Sequence, residues 1–342
     1  MLNARPITLQ VATLYAELHD LSELDVLQGR NPGSFSVKTI NGRRYWYKQH
    51  WIGKNVRLQK TIGVETPELL DNIARWKSEN AAVRKQKAIR RELCRAIKAA
   101  LRMTVDAASG RVIAALADKL AFEKGAVLIG THAYISYAAM LGRELSQANM
   151  QTGDIDFAVI DIAADATTLL PQVVESLDKA FFPVPARPGE IISTKLKHRT
   201  EQIRIELLTP HRQGDIWTAI APPRSDFGAQ QVPYLDYLIE APLEATYLHD
   251  DGVRVRVPNP ARFCLHKLIV AANRDLAARS KTLKDLAQAA ELMAILAEDS
   301  PHDLREAYDA LAARGGDYLT LAKRGAASLS EAARQALPAL LR

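Results

Sequence analysis

Two aspartates one residue apart, in Gly153-Asp154-Ile155-Asp156-Phe157, run directly into the apolar stretch Phe157-Ala158-Val159-Ile160, and no other segment constrains the chain as tightly. Strand side chains alternate with period two, so a strand here sets both carboxylates on one face and Ile155 and Phe157 on the other. Such a pair can clamp a divalent metal. A second short strand, Gln202 to Leu208, carries Glu206, which either completes a site for one or two metal ions or is a solvated partner for Arg204, two residues away on the same face. Upstream, Ala126-Val127-Leu128-Ile129 ends at Gly130-Thr131, which opens a helix-like segment whose backbone amides and hydroxyl would face an incoming phosphate. Carboxylates for metal and a turn for phosphate are the parts needed to transfer a nucleotidyl group.

In this order and spacing the sequence resembles the DNA polymerase β-type nucleotidyltransferase superfamily, whose pattern is a Gly-Ser/Thr turn, an Asp-x-Asp and a later single Asp. The closer likeness is to a bacterial nucleotidyltransferase-like group. It is carried by Gly130-Thr131-His132-Ala133 through Tyr137 and by Thr152-Gly153-Asp154-Ile155-Asp156, and it covers about residues 120 to 300. The resemblance implies that Gly130 and Thr131 hold the nucleotide phosphates, that Asp154 and Asp156 bind Mg²⁺ in a two-ion site, and that Glu206 is the third carboxylate, where the family has Asp. It also implies a downstream helical part in which Lys267 contacts triphosphate oxygens and Asp285 orients Lys267 or another basic partner; Arg274 and Lys281 are second-line phosphate candidates beside them. Read without the resemblance, Lys267 is equally a snorkelling side chain and Asp285 a helix-start charge.

The rest of the chain organises around this centre. Residues 7 to 28 carry apolar positions at helical spacing, and Asn31-Pro32-Gly33-Ser34 breaks the pattern. Asn41-Gly42 between two β-rich runs marks a hairpin, and a third strand near Val56 to Lys60 extends it. Tyr45, Trp46 and Tyr47 in that hairpin either stack on bases or pack as cross-strand core. Thr66-Pro67-Glu68 starts a long helix to about Met103. Asp106 to Gly110 marks a hinge or helix break before a helix over 111–124. Then follow strand 126–129, helix 131–142, strand 154–161, helix 168–178 and strands 189–197 and 202–208, with a mobile loop at Gln147 to Thr152. Residues 231–238 form a short helix or strand, 253–257 a strand, and helices begin at Pro260 and Thr282. The Ala- and Leu-rich remainder, broken at Ser300-Pro301, Gly315-Gly316 and near Ser328, closes the chain as a small helical bundle. The expected fold is α+β: a nucleotidyltransferase-type mixed sheet with flanking helices over 106–258, a basic hairpin and long-helix module over 1–105, and a helical part over 259–342 that closes the cleft.

Charge separates these parts. Between Lys38 and Arg102 stand 17 Lys/Arg against 5 Asp/Glu, whereas the net charge of all 342 residues is only +6, so the remainder is acidic. A basic module beside carboxylates suits a polyanion, either as an interaction arm for RNA, DNA or an acidic partner, or as a plain solvated helix face. Cys94 and Cys264 have no paired spacing and read as buried thiols of a reducing, cytoplasmic compartment. No apolar run is long enough to span a bilayer, and the N-terminus lacks a signal-peptide core. His132 and His266 lack ligand spacing and read as ordinary core or surface residues.

The expectation is a Mg²⁺-dependent transferase that moves NMP from an NTP such as ATP to an acceptor hydroxyl, on RNA such as tRNA docked through residues 38–102. A toxin or defence role with a cognate partner protein fits the same parts. The alternatives are a degenerate nucleotidyltransferase fold that binds nucleic acid or regulates, and a protein adenylyltransferase. A metal-dependent phosphodiesterase lacks the His-rich ligand sets common in such sites.

Overall fold

The computed structural model describes residues 4–28, 34–52, 56–118, 122, 125–160, 166–185, 191–212, 218–223, 225–331 and 334. Helix α1 (Leu9–Gln28) leads to an antiparallel sheet of β1 (Ser34–Ile40), β2 (Arg43–Ile52) and β3 (Val56–Val64). Asn41 and Gly42 turn β1 into β2 with φ of 49° and 75°, the left-handed pair that a two-residue hairpin needs. The expected break at 31–33 lies outside the described residues. Trp46 is buried and its Nε1 donates to Glu65 at 2.8 Å, so this aromatic packs, while Tyr45 and Tyr47 stay half-buried.

Helix α2 (Pro67–Ala100) begins where the Thr66 hydroxyl accepts from the Leu69 amide, with Pro67 in the first turn. Its first half carries exposed cations, and its second half enters the core with Arg90, Cys94 and Ile97. Arg90 donates to the Asp251 carbonyl at 3.0 Å and ion-pairs with the Asp251 carboxylate, while Arg91 holds Asp250 at 2.8 Å. Removing one member of a buried pair strands the other charge. Arg90→Met is therefore expected to lower the unfolding free energy by about 3 kcal/mol in a urea titration. Adding Asp251→Leu should recover most of the loss, and an unchanged midpoint in Arg90→Met would contradict this role. Both cysteines are buried free thiols, and burial pushes the Cys94 thiol up to about 11.

Helix α3 (Ala107–Asp118) starts earlier than its sequence suggests. The Asp106 carboxylate caps it by accepting from the Ser109 amide at 2.6 Å, and Gly110 is packed so closely on His249 that a Cβ there would collide with the ring. The glycine marks close packing rather than a hinge. The end of the expected helix, at 119–121 and 123–124, lies outside the described residues.

Among the described residues the main sheet has seven strands: β4 (Val127–Ile129), β5 (Asp154–Ala158), β6 (Phe181–Pro185), β7 (Ser193–His198), β8 (Arg204–Pro210), β9 (Ala219–Ile220) and β10 (Ala229–Val232). Strand β8 is its spine. It pairs in parallel with β5 on one side, and on the other with β7, antiparallel, along its first half and with β10, parallel, along its second. Helix α4 (Gly130–Met140) follows β4 directly and is buried on all sides. Residues 147–150, expected as part of a mobile loop, form the short helix α5 (Gln147–Met150) instead. Buried Glu291 pins it, accepting from the Ser146 amide at 2.8 Å and from Asn149 at 3.0 Å. Helix α6 (Ala166–Leu177) packs against α3. Residues 231–238 hold both forms expected of them, the end of β10 and helix α7 (Leu235–Ile239). Strands β11 (Leu243–Tyr247) and β12 (Val253–Val257) pair antiparallel.

The chain ends in helices α8 (Pro260–Asn273), α9 (Arg279–Asp299), α10 (Pro301–Ala313) and α11 (Tyr318–Ala327), with breaks at Ser300-Pro301 and Gly315-Gly316 as expected. Asn259 caps α8 by accepting from the Ala261 amide at 2.8 Å, ahead of Pro260. Helix α8 packs against α9 and α11. The result is the α+β architecture with a mixed sheet, flanking helices and a helical C-terminal part. Among the described residues no helix is long and apolar enough to cross a membrane.

Candidate functional site

Strand register brings the carboxylates together. Residues paired directly across a ladder share a face, and Ile129, Asp156, Glu206 and Lys195 form one such row across β4, β5, β8 and β7. Two residues along, Asp154, Arg204 and Lys197 form the next row on the same face. The opposite face holds Ile155, Phe157, Ile205 and Leu207, all 0–1 % exposed, and packs into the core. Apolar burial on one side therefore fixes which side the carboxylates take.

Three acids share this face with several cations. Lys195 lies 2.9 Å from Glu206, and Asp154 has Lys281 at 3.5 Å and Arg204 at 3.9 Å. Glu206 is thus paired with Lys195, not with Arg204 as one sequence reading had it. Asp156 has no ion pair among the described residues. Burial first, then Glu206 and Asp154, push its carboxyl up to about 7, against the pull of Lys267 and Lys281. A buried carboxyl whose ionisation is opposed first by burial and then by two neighbouring acids gains from a divalent cation. The donor set of Asp154, Asp156 and Glu206 fits such an ion in chemistry and register, although among the described residues no three His, Cys, Asp or Glu side chains already converge as a metal set.

Gly130 stands against this group. Its φ of +64° is left-handed, and a Cβ there would collide with the Asp156 carboxylate. Only glycine meets both conditions, so the turn and the Asp pair are one device. Thr131 follows in the first turn of α4 and is 8 % exposed, set behind Gly130. Gly153 is also space-limited, because a Cβ would strike the Gln202 carbonyl beside the strand pairing.

Helix α8 roofs the same face. Phe263, His266, Lys267, Val270, Asn273 and Arg274, at helical spacing, line a pocket of about 460 Å³ whose other walls include Gly130, Glu206, Leu208 and Gln230. Asp285 on α9 accepts from Lys267 at 2.6 Å and from Arg274 at 2.7 Å. Burial opposes its charge, but those two cations hold its carboxyl below the usual carboxylate range. Gly130, Glu206, Lys267 and Arg274 thus line one pocket, with Asp156 against Gly130 and Asp285 behind the two cations, whereas Asp154 lines a separate cleft with Gly153, Lys197 and Arg204. Lys195 was not expected beside Glu206, because only long-range register places it there. His132 is a core residue with Nδ1 at 2.7 Å from the Tyr247 hydroxyl, and burial pushes its pKa down to about 4. His266 is different, being part of the pocket wall.

A family model described as nucleotidyltransferase matches residues 107–313, more than half of the chain. The chain belongs to this nucleotidyltransferase family and is by that membership a transferase. Among solved structures it is similar to an antigenic nucleotidyltransferase-like protein from Paracoccidioides brasiliensis at 18 % identity, over 63 % of this chain and 92 % of that one, with a TM-score of 0.31. That likeness is too loose to say more about this chain. No curated protein matches it.

Proposed function

We propose that this chain transfers NMP from an NTP to an acceptor hydroxyl in a Mg²⁺-dependent reaction of the DNA polymerase β type, with RNA such as tRNA as the acceptor. The observation that carries the reading is the strand register that sets Asp156 beside Glu206 and directly against Gly130, with Asp154 two residues along the same face. Asp154, Asp156 and Glu206 would hold the cation, which when bound screens phosphate charge and eases ionisation of the acceptor hydroxyl. Lys267 and Arg274, held in place by Asp285, would meet the phosphate oxygens and offset charge on the departing pyrophosphate. Gly130 lets the chain pass close to the phosphates, and the free amides of the first turn of α4, that of Thr131 among them, would point toward them. Incubating the protein with each α-labelled NTP and Mg²⁺ against an RNA pool, a DNA pool and a lysate proteome tests the reading. Label in RNA supports it, and label confined to protein points to an adenylyltransferase.

A polyanionic acceptor suits the exposed cations of β1 to β3 and the first half of α2, among them Lys38, Arg43, Lys60, Arg75, Lys77, Arg84 and Lys85. Each phosphate neutralised releases counterions, so the logarithm of affinity falls with the logarithm of salt. Arg75→Ala, Arg84→Ala and Lys85→Ala together are expected to weaken RNA binding and make that slope shallower by about 2. An unchanged slope in a salt titration would remove this face from the acceptor site.

One observation favours a second reading. Lys195 on Glu206 and Lys281 on Asp154 are cations where a metal would sit, as in a degenerate domain that binds nucleotide or nucleic acid without turnover. Calorimetric titration with the four NTPs separates the two: Mg²⁺-dependent binding supports transfer, and binding indifferent to Mg²⁺ supports the degenerate case.

A further inference from the structure

The pocket under α8 extends past Glu206, and its far end is built unlike a phosphate site. Along β8 the cleft face runs from Glu206 to Leu208, which pairs with Gln230 on β10. There the walls turn apolar, with Leu208, Val232, Leu235 and Leu238 opposite Phe263, Ile269 and Val270. Tyr234 and His266 stand in this lining, as do Gln230 and Asn273. Tyr234 is held at φ +63°, a left-handed conformation that is strained for a non-glycine residue and that Asn41, Arg102, Ala241 and Asp250 also adopt in this chain. It is only half-buried and borders the pocket, braced edge-on by Tyr318 at 4.8 Å between ring centroids. His266 is 6 % exposed, and its buried Nε2 meets no hydrogen-bond partner among the described residues. Burial pushes its pKa down to about 3, so near pH 7 the ring is neutral, with one nitrogen to donate and one to accept.

An apolar slot next to phosphate-binding cations, with a strained aromatic at its border and an unpaired neutral imidazole in its wall, matches a flat heteroaromatic ring with polar edges. We propose that the slot seats the nucleobase of the NTP, that Tyr234 supplies a surface for stacking, and that His266 reads the base edge and so sets nucleotide choice. This rests on the nucleotidyl-transfer reading and specifies its substrate. A wrong base leaves the imidazole buried and unpaired, which penalises it more than a lost contact alone would.

The test measures equilibrium binding of the α,β-methylene analogues of ATP, CTP, GTP and UTP, with Mg²⁺, alongside inorganic tripolyphosphate as a probe without a base. Tyr234→Gly removes the ring and suits the left-handed backbone. It is expected to weaken every analogue about 10-fold while tripolyphosphate binding holds. His266→Leu should weaken the preferred analogue at least about 10-fold more than the least preferred one, and His266→Gln should restore part of the preference. Equal binding of all four analogues by the wild type, preferences unchanged in His266→Leu, or parallel loss of tripolyphosphate binding would each overturn the proposal while leaving nucleotidyl transfer standing. Failure of the wild type to bind any analogue or tripolyphosphate would overturn both.

Discussion

Asp156→Asn is expected to abolish nucleotidyl transfer, by at least about 10³-fold, and at the same time to make the metal-free protein more stable above neutral pH. The two effects have one origin. Burial first, then Glu206 and Asp154 on the same face, push the Asp156 carboxyl up from 3.8 to about 7. Between those pH values the folded chain binds a proton that the unfolded chain releases. The contribution of this group to stability therefore falls as pH rises from about 4 to about 7 and remains lost above that. Asparagine keeps the shape and cannot ionise, so the variant lacks this slope. In thermal melts with chelator, its advantage over the wild type should widen from pH 5 to pH 8. Mg²⁺ should then stabilise the wild type at pH 8 and leave the variant unmoved. A variant that melts lower than the wild type at pH 8, or that keeps its activity, would show that the three acids do not act as one charged site. Stability surrendered at a functional cluster is a common pattern in enzymes.

Gly130→Ala is expected to cost more than about 10²-fold in kcat/KM, because it displaces the Asp156 carboxylate as well as straining the turn. A φ of +64° disfavours alanine by about 1 kcal/mol, which alone lowers stability only modestly. The larger effect is steric, since the new methyl group would occupy space that the carboxylate now fills. Gly315→Ala separates the two contributions. That glycine has a similar φ of +67° with nothing within 4 Å of a built Cβ, so it carries the strain without the collision. Kinetics and melts of both variants should show comparable small losses of stability, with activity lost only in Gly130→Ala. Equal activity in the two would mean that the turn does not position Asp156.

Much of this was legible in the sequence because it is local. Asn41-Gly42 specifies a hairpin by its backbone conformations, Thr66-Pro67 and Asn259-Pro260 specify helix starts, and alternation puts Asp154 and Asp156 on one face. Strand β6 escaped because Pro183 and Pro185 interrupt its β pattern, a composition that an outer strand paired on one side with β7 tolerates. Strand β11 escaped because Pro242 and Glu244 mask a run that is recognisable only beside its partner β12. Helix α5 is too short to declare itself and depends on Glu291 from far along the chain. The same distinction divides the site. Its acids and its Gly-Thr turn stand in contiguous motifs, whereas Lys195 reaches Glu206 through strand pairing, and Tyr234 and His266 share a pocket only through the packing of distant segments. Pairing between distant segments leaves no mark within either segment.

The most direct measurement follows one phosphorus atom. NTP labelled at the α-phosphate and NTP labelled at the γ-phosphate are supplied in parallel, with Mg²⁺ and total RNA, to the wild type and to the Asp154→Ala, Asp156→Ala double variant. The wild type should leave the α-label on RNA and release the γ-label as pyrophosphate, and the folded double variant should do neither. Transfer of the γ-label to RNA, or undiminished α-labelling by the double variant, would contradict a nucleotidyl transfer centred on these two aspartates.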